Sequence, residues 1–167
     1  MPFFLRHGAP ASAASSEAHA HASSLARDPD WTSFIDALPA MTWLADSSGR
    51  LLYANEAWRE ATGIDPARFR PEDAARLVHP EDRDRLAPGQ SPFSGHSTTF
   101  EFRLLQRDGT YRWMLERIRP WLDKKIRPLG YIGSAIDIDE QKRHERRLSV
   151  IALRQTSLAC FSQFVLE

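Results

Sequence analysis

The stretch STTFEFRLLQRDGTYRWMLERIRPWLD, residues 97–123, limits what this chain can fold into more than any other part of it. Phe100, Phe102 and Leu104 alternate with Thr99, Glu101 and Arg103, the period of a half-buried β-strand. Arg107-Asp108-Gly109-Thr110 supplies turn chemistry. Tyr111, Trp113 and Leu115 continue the alternation on the return strand. Met114 and Ile118 fall on the opposite face of that strand, so apolar material must cover part of both faces.

The segments around this hairpin fit an antiparallel sheet. MTWLADSSGRLLYAN holds two short apolar runs flanking Ser-Ser-Gly, a second hairpin signal. EAWREATGIDPARF reads as a short helix stopped at Gly63, followed by a turn at Asp65-Pro66. PEDAARLVHPEDRDRL contains two further helical pieces divided at His79-Pro80. APGQSPFSGHS and DKKIRPLG are loops, and YIGSAIDI is a fifth strand. Ahead of all this, RDPDWTSFIDALPA is a short helix capped by Asp28, begun by Pro29 and ended by Pro39. Its stripe of Trp31, Phe34, Ile35 and Leu38 needs a surface to cover, and the second face of the long hairpin is the expected one. The predicted fold class is α+β: a five-stranded antiparallel sheet with short helices on one face. The expected organisation is an Ala/Ser/His-rich tail over residues 1–26, a flanking helix over 27–39, a core over 40–138 and a linker helix over 139–167. The tail has too few large apolar groups to offset the entropy of ordering.

Composition narrows the function. The 167 residues carry a formal net charge of +0, with 42% hydrophobic and 26% charged side chains. Nucleic-acid and anionic-membrane binders rely on a basic footprint that is absent here. The single cysteine, Cys160, rules out an internal disulfide framework and favours a reducing, cytoplasmic setting. No apolar run reaches the length of a membrane span. No P-loop, GxSxG elbow or phosphoacceptor-histidine box is visible, and no nucleophile–base–orienter set can be assembled, so the chain does not read as an enzyme.

The order of LPAMTWLADSSGRLLYANEAWREATG, LVHPEDRDRL, FEFRLLQRDGTYRWMLERIRP and GYIGSAIDIDEQK resembles a PAS domain with its C-terminal PAC portion, over about residues 30–145. The resemblance implies a sensory or interaction module with a pocket between the sheet and the short helices. It also implies a homodimer formed through the flanking helices. The output domain, a histidine kinase or a cyclic-dinucleotide enzyme, would lie elsewhere in a longer protein. Two functions follow. The first is a cytoplasmic sensor that binds a small molecule and relays a conformational change through its C-terminal helix. The second is a ligand-free module for dimerisation or docking.

Candidate pocket residues are Trp43, Tyr53, Asn55, Trp58, Phe69, Leu77, His79, Phe102, Trp113, Ile132 and Ser134. Each bulky one taken singly is better read as core. Haem-binding relatives use a histidine from the region of His79, but a structural His79 is weighed ahead of a haem ligand. No second ligand stands at metal spacing, so no metal site is expected. A flavin–cysteine photocycle is set aside, because Asn55-Glu56-Ala57-Trp58 holds no cysteine; the cofactor, if any, stays unassigned. Between Asp82 and Ser97 the chain departs from the family it resembles: the pocket-walling helix is expected to be cut short at Ala87-Pro88-Gly89. The relay is assigned to Asp137, Asp139, Glu140 and Arg143. Asp139 stands in the family's Asp-Ile-Thr pattern as the helix cap, with Asp139–Arg143 and Glu140–Arg143 at pairing distance. Beyond it, Leu148, Ile151, Ala152, Leu158, Ala159, Val165 and Leu166 approach a heptad pattern, suited to a partner helix or to the start of a next domain.

Overall fold

A computed structural model describes residues 20, 24 and 28–164, except 48, 71–72, 85–95, 123–125 and 127; the side chains of 128 and 153–164 lie outside the description. Asp28 accepts backbone hydrogen bonds from Asp30 and Trp31 and opens α1 (Pro29–Asp36). Strands β1 (Met41–Asp46) and β2 (Leu51–Ala54) follow, then α2 (Glu56–Thr62), a 3₁₀ turn at Pro66–Arg68, α3 (Ala74–Leu77) and a 3₁₀ turn at Pro80–Asp82. The chain then forms β3 (Thr98–Leu105), β4 (Tyr111–Leu122), β5 (Pro128–Asp137) and the long helix α4 (Asp139–Phe164). All strand pairs are antiparallel, in the order β2-β1-β5-β4-β3. The five-stranded antiparallel sheet with short helices is the fold class that the periodicity predicts.

Local chemistry sets the ends of these elements. α2 stops at Gly63, whose φ of 69° places it in the left-handed region that glycine enters without steric cost. Gly109 does the same in the β3–β4 turn, at φ 84°. Asp108 accepts from the Thr110 backbone and hydroxyl there.

The register of the long hairpin corrects one expectation. Phe102 lies opposite Met114, Phe100 opposite Glu116 and Leu104 opposite Arg112. Residues directly opposite share a face, so Phe100, Phe102 and Leu104 join Met114, Glu116 and Ile118 on the inner face. Tyr111, Trp113 and Leu115 therefore point to the outer face. Met114 and Ile118 are each 2% exposed, whereas Tyr111 is 37% exposed. Bulky aromatic residues mimicked the buried set on the return strand, but the turn fixes the register.

The expected cover of the hairpin's second face also changes. α1 lies against β2 and α2, with Trp31 edge-on to Tyr53 at 5.0 Å. Phe34 of the predicted stripe is 66% exposed. The outer face of β3 and β4 is covered in part by the first turns of α4 instead.

Candidate functional site

On the inner face Trp43 of β1, Trp58 of α2, Phe69, Leu77, Phe102 and Met114 pack in one apolar cluster. The first five are sequence candidates, and the fold brings them together. Trp58 meets Phe69 edge-on at 5.5 Å. Ala54 and Ala135 are buried in the same cluster.

A carboxyl group sits in this apolar layer. Glu116 of β4 is 9% exposed and accepts a 2.6 Å hydrogen bond from Trp43 Nε1. Its strand does not neighbour that of Trp43; β5 runs between them. The contact crosses β5 at Gly133, which pairs with Trp43 on one side and Ile118 on the other. A Cβ added at Gly133 would stand 2.1 Å from the Trp43 indole. Glycine here is a packing requirement: the ring occupies the place of the missing side chain. Burial pushes the Glu116 carboxyl up to about 7, and the Trp43 bond opposes that rise only in part. Glu116 is hidden in the sequence because it lies among arginines in LERIR. The usable signal was its position, two residues from Met114 and two from Ile118, on the face those residues define.

The other candidates fall elsewhere. Tyr53, on the outer face, donates its hydroxyl hydrogen to Asp36 Oδ1 at 2.8 Å beneath α1. Burial, with Asp36 beside it, pushes its phenol up to about 12. Trp113, Ile132 and Ser134 also lie on the outer face, and Ile132 is 40% exposed. Asn55 is 0% exposed and its polar atoms are engaged. Its Oδ1 accepts from the Thr42 and Trp58 backbone, and its Nδ2 donates to the carbonyls of Ile35, Leu38 and Ala40. Asn55 thus joins α1, β1 and α2.

His79 lies outside the inner cluster. Its Nδ1 accepts from the Glu81 backbone at 3.3 Å, and its ring meets Tyr111 edge-on at 4.7 Å. The Glu81-Asp82 pair that follows grips Arg103 of β3. Asp82, 2% exposed, takes both Arg103 Nε and Nη2, at 2.9 and 2.8 Å, and Glu81 accepts from Nη2 at 2.8 Å. The guanidinium holds both carboxyls below their usual range, and they raise Arg103 in turn. The His-Pro-Glu-Asp run thus straps its turn onto the edge strand β3. No group of three metal-ligating side chains occurs among the described residues.

The passage from β5 to α4 differs in detail from the expected cap. Asp137, not Asp139, caps the helix: its Oδ1 accepts from the Asp139 backbone at 2.8 Å, and Oδ2 is ion-paired to Arg112 at 3.0 Å. Asp139 is the first residue of the helix. Its carboxylate reaches the Trp113 backbone N–H at 3.4 Å and pairs with Arg143 at 3.5 Å. Glu140 lies 4.0 Å from His144, in place of the expected pair with Arg143. Lys142, one charge among several in the helix sequence, bonds Glu101 of β3 at 2.6 Å and lies 5.5 Å from the centre of the Trp113 ring. Arg103 stands 5.2 Å from that ring. Trp113 therefore meets both the cation held by the His-Pro-Glu-Asp turn and the cation of the first turn of α4.

The shortened segment at Ala87-Pro88-Gly89 and the apolar positions Leu158, Ala159, Val165 and Leu166 lie outside the described residues or side chains. Leu148 and Ile151 are 67% and 52% exposed. No helix among the described residues is long and apolar enough to cross a membrane.

Comparison with known proteins agrees with this geometry. A family profile described as the PAS fold matches residues 51–135. The peroxide stress-activated histidine kinase mak1 of Schizosaccharomyces pombe is 30% identical over 129 residues, which is 74% of this chain and 8% of the kinase. An RNA-binding light-oxygen-voltage receptor superposes with a TM-score of 0.60 at 23% identity, over 72% of this chain and 36% of the receptor. The N-terminal domain of a diguanylate cyclase with a PAS/PAC sensor from Marinobacter aquaeolei superposes at 0.52 with 24% identity, over 62% of this chain and 98% of that domain. The chain thus spans under a tenth of the kinase it matches.

Proposed function

The chain belongs to the PAS family, and from that premise we propose that it is a sensory module in which a small molecule bound on the inner face biases the direction of α4. One observation carries the reading. Strand β5 borders the inner site at Gly133, beneath Trp43, and four residues later Asp137 caps α4. No flexible segment separates the two, so a displacement at the site reaches the helix with little loss. In this reading residues 1–26 are a tail, 27–39 a flanking helix, 40–138 the sensing core and 139–167 the linker to an output domain. That output is a histidine kinase or a cyclic-dinucleotide enzyme, as in the relatives named above. The domain itself performs no catalysis, works in the cytoplasm, and pairs as a homodimer through α1 and α4.

Native mass spectrometry beside a denatured run tests the ligand. Extra mass that vanishes on denaturation supports the sensor. A bare protein, unchanged after incubation with cell extract metabolites, overturns it. The relay is tested by Asp139→Ala in a full-length protein with its output domain. Output should change more than the melting temperature; a lowered melting temperature with normal output would leave Asp139 a positioning contact alone. A ligand-free docking module is the second reading. Its support is the bulk of Trp43, Trp58, Phe69 and Phe102, which together fill much of the inner face.

A further inference from the structure

Proton binding needs neither a large void nor an exposed site, and the inner face holds a group suited to it. Glu116 is nine-tenths buried, and Trp43 Nε1 is the donor to its carboxyl. No cation faces it among the described residues. Arg117 and Arg119, on its own strand, point to the outer face. Asp137, one register step from Glu116 opposite Met114, is held in an ion pair with Arg112. Tyr131 of β5 is the remaining titratable group on that face near the sheet centre. On α2, Glu56 and Glu60 are exposed and Arg59 is engaged by Asp36. On α3 and the residue before it, Arg76 pairs with Asp73. The residues opposite Glu116 on β3 and β5, Phe100 and Ala135, carry no charge. A carboxylate in such a place has one hydrogen bond and no counter-ion, so the protonated form suits the site as built.

We propose that Glu116 is a proton-binding site and that protonation is a signal this domain reads, through the Trp43–Gly133 contact, into strand β5. This rests on the sensory reading above and names the proton as a ligand of the inner face. Losing the proton places a charge in the apolar layer. The charge pulls harder on the Trp43 N–H and draws water or a further donor inward, which shifts the indole that lies on Gly133. β5 is the strand that receives the displacement, because it has no side chain there to resist it. The direction of the burial effect, up to about 7, puts the change near neutral pH.

The test is a titration from pH 4 to 9 of the whole chain, labelled with ¹⁵N and with ¹³C at the glutamate carboxyls. In the wild type one carboxyl should titrate between pH 6 and 8, with the same midpoint in the indole N–H of Trp43 and the amides of residues 131–137. In Glu116→Gln the β5 and indole shifts should be flat. Trp43→Phe assigns the indole resonance. A carboxyl set with every midpoint below pH 5, or a β5 titration that persists in Glu116→Gln, overturns the proposal; the second result would point to His79, His96 or His144. If Glu116→Gln fails to fold, the carboxyl midpoint of the wild type decides. Amide exchange in α4, followed in the same samples, reports on the relay separately. A β5 response without an α4 response would keep the proton site and sink the relay.

Discussion

At the scale of single residues, Glu116 and Asn55 show opposite uses of a buried polar side chain. The folded-state value of Glu116 lies above its ordinary 4.5, at about 7. Its contribution to stability is therefore fully present below pH 4.5 and is lost as pH rises through 7. Measured by urea unfolding, Glu116→Gln should gain on the wild type by up to about 3 kcal/mol between pH 4.5 and 8. A difference independent of pH would show that the carboxyl ionises normally. Asn55 has no spare capacity and answers to no pH. Asn55→Ala removes the α2 cap, leaves the Thr42 N–H without a partner and takes from the Ala40 carbonyl one of its two donors. The expected loss is about 3 kcal/mol at any pH, read from the urea midpoint. How much of the site was legible follows from the same residues. Trp43, Trp58, Phe69, Leu77 and Phe102 could be found because bulky apolar side chains in strands and helices tend to be core. Glu116 escaped because a carboxyl between arginines looks solvated until register places its neighbours.

At the scale of elements, turn and cap chemistry was readable where it is local. Asp28, Gly63 and Gly109 act where their residue types suggest. What a residue faces across the sheet is not local, and there the reading failed: Trp113, Tyr53, Ile132 and Ser134 sit on the outer face. The Asp137 cap was displaced by two residues because Asp137-Ile138-Asp139 offers two good caps, and the pairing of β5 with β4 chooses between them. The junction of β5 with α4 gives an element-level prediction. Lys142→Ala removes the contacts to Glu101 and Trp113. Losing them should weaken the first turns of α4 by about 1 kcal/mol, and amides of residues 139–145 should exchange about five-fold faster. Unchanged exchange would mean that Asp137 and Asp139 hold the helix by themselves.

At the scale of the whole molecule, a five-stranded sheet separates two environments. The inner face is apolar at its centre and, among the described residues, holds one buried acid there; the outer face carries α1 at one side and the start of α4 at the other. Between them Ile132 and Ile136 remain 40% and 48% exposed on β5. With Phe34, Leu148 and Ile151 they give the proposed homodimer apolar surface to bury. Sedimentation should show concentration-dependent dimers for residues 1–167 and weaker association for a chain ending at residue 145. Equal behaviour of the two would remove α4 from the interface. The fold class was legible as a whole because five strands and their turns each left a periodic or turn signal. The flanking helices were legible as helices but not in their docking, since an amphipathic stripe says that something is covered and not what.

Trp43 and Trp113 stand on opposite faces of one sheet, the first bonded to a buried acid and the second between two cations. Of the chain's five tryptophans, these two are native fluorophores in unlike electrostatic surroundings, one at the centre and one where the helix departs. The difference in emission between the wild type and Trp43→Phe, or between the wild type and Trp113→Phe, isolates each indole from the other tryptophans. Events in the interior and events at the exit can then be timed separately in the same protein, without attaching a dye.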